Sequence, residues 1–141
     1  MKTVMLHVSA LLLGLFSLFS VQSVITFVWG TFGVTWGPGN LPVAMDQKVA
    51  MLMTTFVAGL VGPMVATLVC RKVPVVVLAI MCLIGLTVDV YAAMGPLAPL
   101  VVWFRVVFVL SVPMQIVLGG YLGYLLVKRS SSASVAPRAA S

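Results

Sequence analysis

Two ionisable side chains, Asp89 and Arg105, lie within long apolar stretches of this chain. Asp89 stands six residues before Gly95, and Arg105 stands six residues after Pro99. A lone charge in hydrocarbon is costly, so such residues are usually paired or functional. At about 1.5 Å per helical residue, both lie about 9 Å inside the expected helix ends. These matching depths predict an intramembrane ion pair between Asp89 and Arg105.

Two interpretations of this ion pair stay open. The pair would fix the register of a helical hairpin, since pairing alone accounts for both residues. It would also suit a proton- or anion-linked transport site. In that case Gln115, Tyr91 and Trp103 would contribute a polar lining.

Four apolar stretches would position these residues. Each has the roughly 20 residues that a membrane-spanning helix requires. They cover about residues 8–29, 49–69, 75–94 and 100–127. Charged residues make up only 7% of the 141 residues, too few to cover a water-exposed globule. The sequence predicts an all-α integral membrane protein, with a single transmembrane domain over residues 1–129 in which two helical hairpins form a four-helix bundle.

Lysine and arginine residues predict the orientation of this bundle. One side would hold Lys2, Arg71, Lys72, Lys128, Arg129 and Arg138, and the other would hold Lys48 and Arg105. Cytoplasmic loops carry the excess of basic residues, so both termini are expected in the cytoplasm. Residues 130–141 are small and polar, and predict a flexible cytoplasmic tail. The expected location is the bacterial inner membrane; an organellar membrane would give the same pattern and stays open.

Small residues predict close packing between the helices. Glycine, which has no side chain, and serine, which has a small one, let helices approach each other closely in a membrane. The residues of this kind are Ser17, Ser20, Ser23, Gly59, Gly119 and Gly123. Asp46 is predicted to cap the second helix, because a carboxylate can accept the free N–H groups at a helix start.

The sequence has no arrangement of residues that is typical of an enzyme. It contains no glutamate, no nucleophile–histidine–acid set and no phosphate-binding loop. The nine methionines are interpreted as apolar filler, and neither a metal nor a cofactor is expected. The formal charge of +6 is spread over helix ends and the tail, which favours contact with lipid headgroups over nucleic acid.

Two functions follow as hypotheses. The first is a non-catalytic integral membrane subunit that packs within a larger membrane protein complex and stabilises it. Its partners would be the lipid bilayer and either other membrane subunits or further copies of the chain. The second is a small homo-oligomeric transporter or channel that uses the pair formed by Asp89 and Arg105.

Overall fold

The computed structural model describes residues 2–37 and 40–133, and this part of the chain contains four α-helices. They are α1 (Lys2–Thr31), α2 (Met45–Cys70), α3 (Val75–Met94) and α4 (Val102–Ala133). All four are long and apolar enough to cross a membrane. The predicted all-helical, four-helix architecture is confirmed.

The helix bounds agree best with the prediction where helix-breaking residues flank the helix. α3 has the predicted bounds, because Pro74 precedes it and Gly95 follows it. α1 and α2 extend beyond the predicted apolar stretches at both ends, whereas α4 begins two residues later and ends six residues later than predicted. α4 includes residues 130–133, the beginning of the predicted tail, whereas residues 134–141 lie outside the described residues.

α2 and α4 form the centre of the bundle, and α1 and α3 flank them. α2 packs extensively against both α1 and α4, whereas α3 packs mainly against α4 and touches α1 and α2 little. Residues 32–44 and 95–101 connect helices at one end of the bundle, here termed the loop end. The turn at residues 71–74 lies at the opposite end, here termed the terminal end, together with the start of α1 and the end of α4.

Glycines bring α1 and α2 into backbone contact. A Cβ atom on Gly14 would lie 2.9 Å from the carbonyl oxygen of Gly62, and a Cβ atom on Gly62 would lie 3.0 Å from that of Gly14. Backbone atoms cannot rotate away as side chains do, so this crossing requires residues without a Cβ. Nearer the loop end, Trp29 Nε1 donates a hydrogen bond to Thr54 Oγ1 at 3.0 Å, which joins the same two helices.

The predicted packing glycines of α4 lie against α2. A Cβ atom on Gly123 would lie 2.7 Å from the carbonyl oxygen of Met64, and one on Gly119 would collide with the carbonyl group of Leu60. The two glycines are four residues apart and therefore lie on one face of α4. This face fixes the rotation of α4 relative to α2.

The start of α2 differs from the prediction. The N-cap is Ala44, with no side-chain cap hydrogen bond, and its N–H donates to Gln47 Oε1 at 3.2 Å. Gln47 Nε2 also donates to the carbonyl oxygen of Thr35, at 3.2 Å, and so ties the preceding loop to the helix. Asp46, the predicted cap, lies inside the first turn because α2 begins at Met45. Its carboxylate there complements the positive end of the helix dipole.

We expect the substitution Gly119→Ala to destabilise the protein, although alanine favours helices. The new Cβ would collide with the backbone of α2, and overpacking of this kind costs about 1–3 kcal/mol. Thermal unfolding of the purified protein in detergent, followed by circular dichroism, would show a lower midpoint.

Gly30→Ala is the matched control, because a Cβ atom on Gly30 meets nothing within 4 Å. Replacing this exposed helical glycine should leave the midpoint unchanged or raise it slightly. Equal midpoints for the two variants would contradict the backbone contact between α2 and α4.

Candidate functional site

Only two of the polar residues predicted to form a site lie together, Asp89 and Gln115. They line a cavity of about 110 Å³ to which all four helices contribute. This cavity, here termed the crevice, is lined by Leu18, Phe19, Thr55, Gly59, Val88, Asp89 and Gln115, among others. Its floor is formed by α2 and α4, where Gly59 and Gln115 are buried. Its rim is formed by α1 and α3, where Phe19 and Val88 are 63% and 58% exposed.

Hydrogen bonds within α4 hold the Gln115 side chain in the floor of the crevice. Gln115 is 4% exposed, and its Nε2 donates to Ser111 Oγ at 2.6 Å. Ser111 Oγ in turn donates to the carbonyl oxygen of Phe108 at 2.7 Å. The carboxamide oxygen of Gln115 lies against Gly59, where it occupies the space that a Cβ would need. The crevice floor therefore presents a hydrogen-bond acceptor.

Asp89 enters the crevice from α3. It lies five residues before the end of this helix at Met94, about 7.5 Å inside it. Its Oδ2 atom is buried and has no hydrogen-bond partner in the described part of the chain. An ionised carboxylate only accepts hydrogen bonds. Because the carboxamide oxygen of Gln115 also accepts, the crevice suits a hydrogen-bond donor or a small cation.

Arg105 lies apart from Asp89, so within residues 2–37 and 40–133 no ion pair joins them. Arg105 is in the first turn of α4, three residues or about 4.5 Å from its start at Val102. Its Nη1 atom donates to the carbonyl oxygen of Ala93 at 3.5 Å. It lines a groove on another face of the α3–α4 hairpin, which Asp89 does not line. Equal sequence distance from the hairpin loop predicted equal depths, but Arg105 lies nearer its helix end than Asp89 does, and the spacing did not predict the direction of either side chain.

The other predicted lining residues point elsewhere. Tyr91 is 76% exposed and Trp103 is 45% exposed, and neither lines the crevice. Trp103 instead makes an edge-to-face ring contact with Phe104, with ring centroids 5.9 Å apart. Both aromatic residues lie near the loop end, where rings commonly anchor in the headgroup layer.

The predicted serine face of α1 is satisfied mostly within its own helix. Ser17 Oγ donates to the carbonyl oxygen of Gly14 at 2.9 Å, and Ser23 Oγ donates to that of Phe19 at 2.8 Å. Ser23 is exposed, and Ser20 is half-buried. The close approach of α1 to α2 occurs at Gly14, one turn before Ser17.

Two residues of this region were not predicted as site residues, Thr55 and Ser111. Thr55 stands four residues before Gly59, and Ser111 stands four residues before Gln115. This spacing places each pair on one helix face. The spacing could have identified these two helix faces. It could not have shown that the two faces pack against each other, or that Asp89 lies beside them.

Thiols and potential metal ligands are scattered. Cys70 is buried and Cys82 is half-buried, and both are free. Among the described residues, no group of three or more His, Cys, Asp or Glu side chains is placed to hold a metal ion.

Comparison with known proteins gives no match to any family model, curated protein or solved structure.

We expect Gly59→Ala to destabilise the protein by displacing Gln115. In a Gln115→Ala background the same change should cost much less, because the colliding carboxamide is gone. The coupling between the two substitutions should be about 0.5–3 kcal/mol, as is typical of residues in contact. Denaturant unfolding of the wild type, both single variants and the double variant measures it.

The Gly30→Ala variant provides the control for this cycle, since its site is open space. Its effect should be the same with and without Gln115. Additive effects of Gly59→Ala and Gln115→Ala would show that the Gln115 carboxamide does not lie against Gly59 in the crevice.

Proposed function

We propose that this chain is a non-catalytic, multi-pass membrane subunit that packs within a larger membrane protein complex and stabilises it. The observation that carries this proposal is the incomplete hydrogen bonding of the Asp89 carboxyl group. Within the described residues, its buried Oδ2 atom has no hydrogen-bond partner. A polar group at membrane depth needs a partner, because hydrocarbon supplies none. A donor on another chain that enters the crevice beside Asp89 would satisfy the carboxyl group.

The shape of the crevice supports such a partner. Its rim belongs to α1 and α3, which touch each other little, so that the crevice opens sideways between them. Phe19 and Val88 are exposed beside this opening. A helix of another subunit placed between α1 and α3 would cover these apolar side chains. A basic or hydroxyl side chain on that helix would reach Asp89 across the rim.

The distribution of basic residues supports an orientation for the subunit. The turn between α2 and α3 carries Arg71 and Lys72, and the end of α4 carries Lys128 and Arg129. Both groups lie at the terminal end of the bundle. By the positive-inside rule, this end lies on the cytoplasmic side of a cell membrane, and both chain termini lie on that side.

A second candidate function is a small homo-oligomeric transporter or channel. The composition of the crevice favours it, because Asp89 and Gln115 bring a carboxyl group and a carboxamide oxygen into one cavity of about 110 Å³. Carboxyl groups within membrane-spanning segments commonly serve as proton relays or ion sites. In this version Gln115, rather than Arg105, accompanies Asp89.

We expect the chain, extracted gently from its own membrane, to carry other polypeptides in fixed ratio. Asp89→Asn keeps the size of the side chain but removes the charge, and should weaken partner retention roughly tenfold or more, the usual effect of losing a charge-assisted hydrogen bond. Native mass spectrometry of the wild-type and variant complexes measures both.

Asp46→Asn is the matched control, because Asp46 is exposed at the start of α2 and outside the crevice. It should leave the composition of the complex unchanged. A homo-oligomer without other polypeptides would overturn the subunit proposal. The transporter would then take its place if Asp89→Asn stayed folded and lost ion flux in reconstituted vesicles.

A further inference from the structure

The α3–α4 hairpin carries a second cavity, an open apolar groove of about 430 Å³ on its outer surface. It is lined mainly by Val90, Met94, Val102, Arg105, Val106 and Leu110, and is here termed the Arg105 groove. Met94 and Leu110 are 77% and 61% exposed, so the groove faces away from the bundle. Arg105 is the one charged side chain among the described residues that line it.

The guanidinium group of Arg105 is only partly satisfied by its own chain. Nη1 donates to the carbonyl oxygen of Ala93 in the last turn of α3, at 3.5 Å, which is long for a hydrogen bond. Nε is buried and has no partner among the residues described. A guanidinium group offers five N–H donors, so most of its capacity is left for another acceptor.

No acidic side chain of the described residues lines the Arg105 groove. The whole sequence contains two acidic residues, Asp46 and Asp89. Asp89 lines the crevice, and Asp46 lies in the first turn of α2. The first turn of α4 contains no acidic residue, and its free N–H groups add partial positive charge beside Arg105. An anion at this position would interact favourably with both the side chain and the helix end.

We propose that the Arg105 groove binds an anionic phospholipid, with the lipid phosphate at the Arg105 guanidinium and an acyl chain along the apolar part of the groove. Arg105 is about 4.5 Å inside the start of α4, a depth from which arginine reaches the headgroup layer. From Arg105 to Leu110 the groove continues five residues, or about 7.5 Å, towards the membrane centre. A phospholipid presents charge and hydrocarbon in this order, and the groove volume is in the range of small-molecule sites.

A lipid fits the groove better than a partner helix does. The lining is apolar apart from one cation at its loop end, so it offers no second polar group that would orient a helix. The inference rests on the membrane insertion contained in the proposed function, but not on the partner at Asp89, because the crevice and the Arg105 groove share no lining residue.

The test uses the full chain purified in detergent and mixed with dioleoyl phosphatidylglycerol or dioleoyl phosphatidylcholine. Native mass spectrometry should show that the anionic lipid is retained more strongly than the zwitterionic one. Arg105→Gln should weaken binding of the anionic lipid roughly tenfold and remove this preference, because a charge-assisted contact is lost. Arg129→Gln, at the other end of α4, removes the same charge outside the groove, and as the matched control it should keep the preference for the anionic lipid.

A second variant keeps the test decisive if Arg105→Gln disturbs the hairpin. Val106 is 48% exposed in the groove, so Val106→Trp should block the path of an acyl chain from the outer side while Arg105 stays in place. This variant should lose both lipids at unchanged helix content by circular dichroism. Phosphatidylglycerol binding that is unaffected by Arg105→Gln and by Val106→Trp would overturn the proposal.

Three further outcomes bear on this inference and on the proposed function together. If Arg105→Gln releases a co-purifying polypeptide and leaves lipid binding unchanged, the groove is a protein interface and the lipid proposal is overturned. If alkaline carbonate extracts the chain from its membrane, insertion itself is wrong, and both proposals are overturned. If Asp89→Asn removes partner polypeptides while lipid binding persists, both proposals are supported.

Discussion

Backbone contact between α2 and its two neighbours is the constraint on which the rest of this bundle depends. Lipid tails are as apolar as leucine side chains, so helices in a bilayer associate through close packing rather than through burial of apolar surface. Gly14 and Gly62 bring α1 against α2, and Gly119 and Gly123 bring α4 against the opposite side of α2. These contacts fix the rotation of three helices. They thereby determine that Gln115 faces Gly59 and that the crevice floor is polar.

Most serine and threonine hydroxyl groups of the described helix residues donate to a carbonyl oxygen of their own helix. Thr67 Oγ1 donates to the carbonyl oxygen of Pro63 at 2.9 Å, and Thr87 Oγ1 donates to that of Leu83 at 2.8 Å. In such local hydrogen bonds a serine or threonine hydroxyl donates to a carbonyl oxygen in the preceding turn of its own helix. Longer polar side chains cannot do this as easily. Among the described residues, Asp89 Oδ2 and Arg105 Nε consequently remain buried without a hydrogen-bond partner.

The sequence predicted the number, order and approximate length of the helices, because hydrophobic length alone decides which segments can span a membrane. It predicted α3 best, between Pro74 and Gly95. It did not predict that α4 begins only at Val102, which places Arg105 nearer the helix end than expected. Spacing gives the depth of a side chain along a helix, whereas its direction depends on how the helices are rotated. The glycine contacts that set this rotation could be recognised as packing residues, but not matched to their partners.

α3 has the weakest attachment to the bundle, since it packs mainly against one neighbour. The helices α1, α2 and α4 form one unit, because α1 and α4 both pack extensively against α2. Gln115 belongs to this unit, whereas Asp89 belongs to α3. A displacement of α3 would therefore change the separation between the carboxyl group and the carboxamide, and it would also move Met81 relative to Gly14 and Gly62. The distance between the two polar groups of the crevice is thus coupled to the way α3 packs against the other three helices.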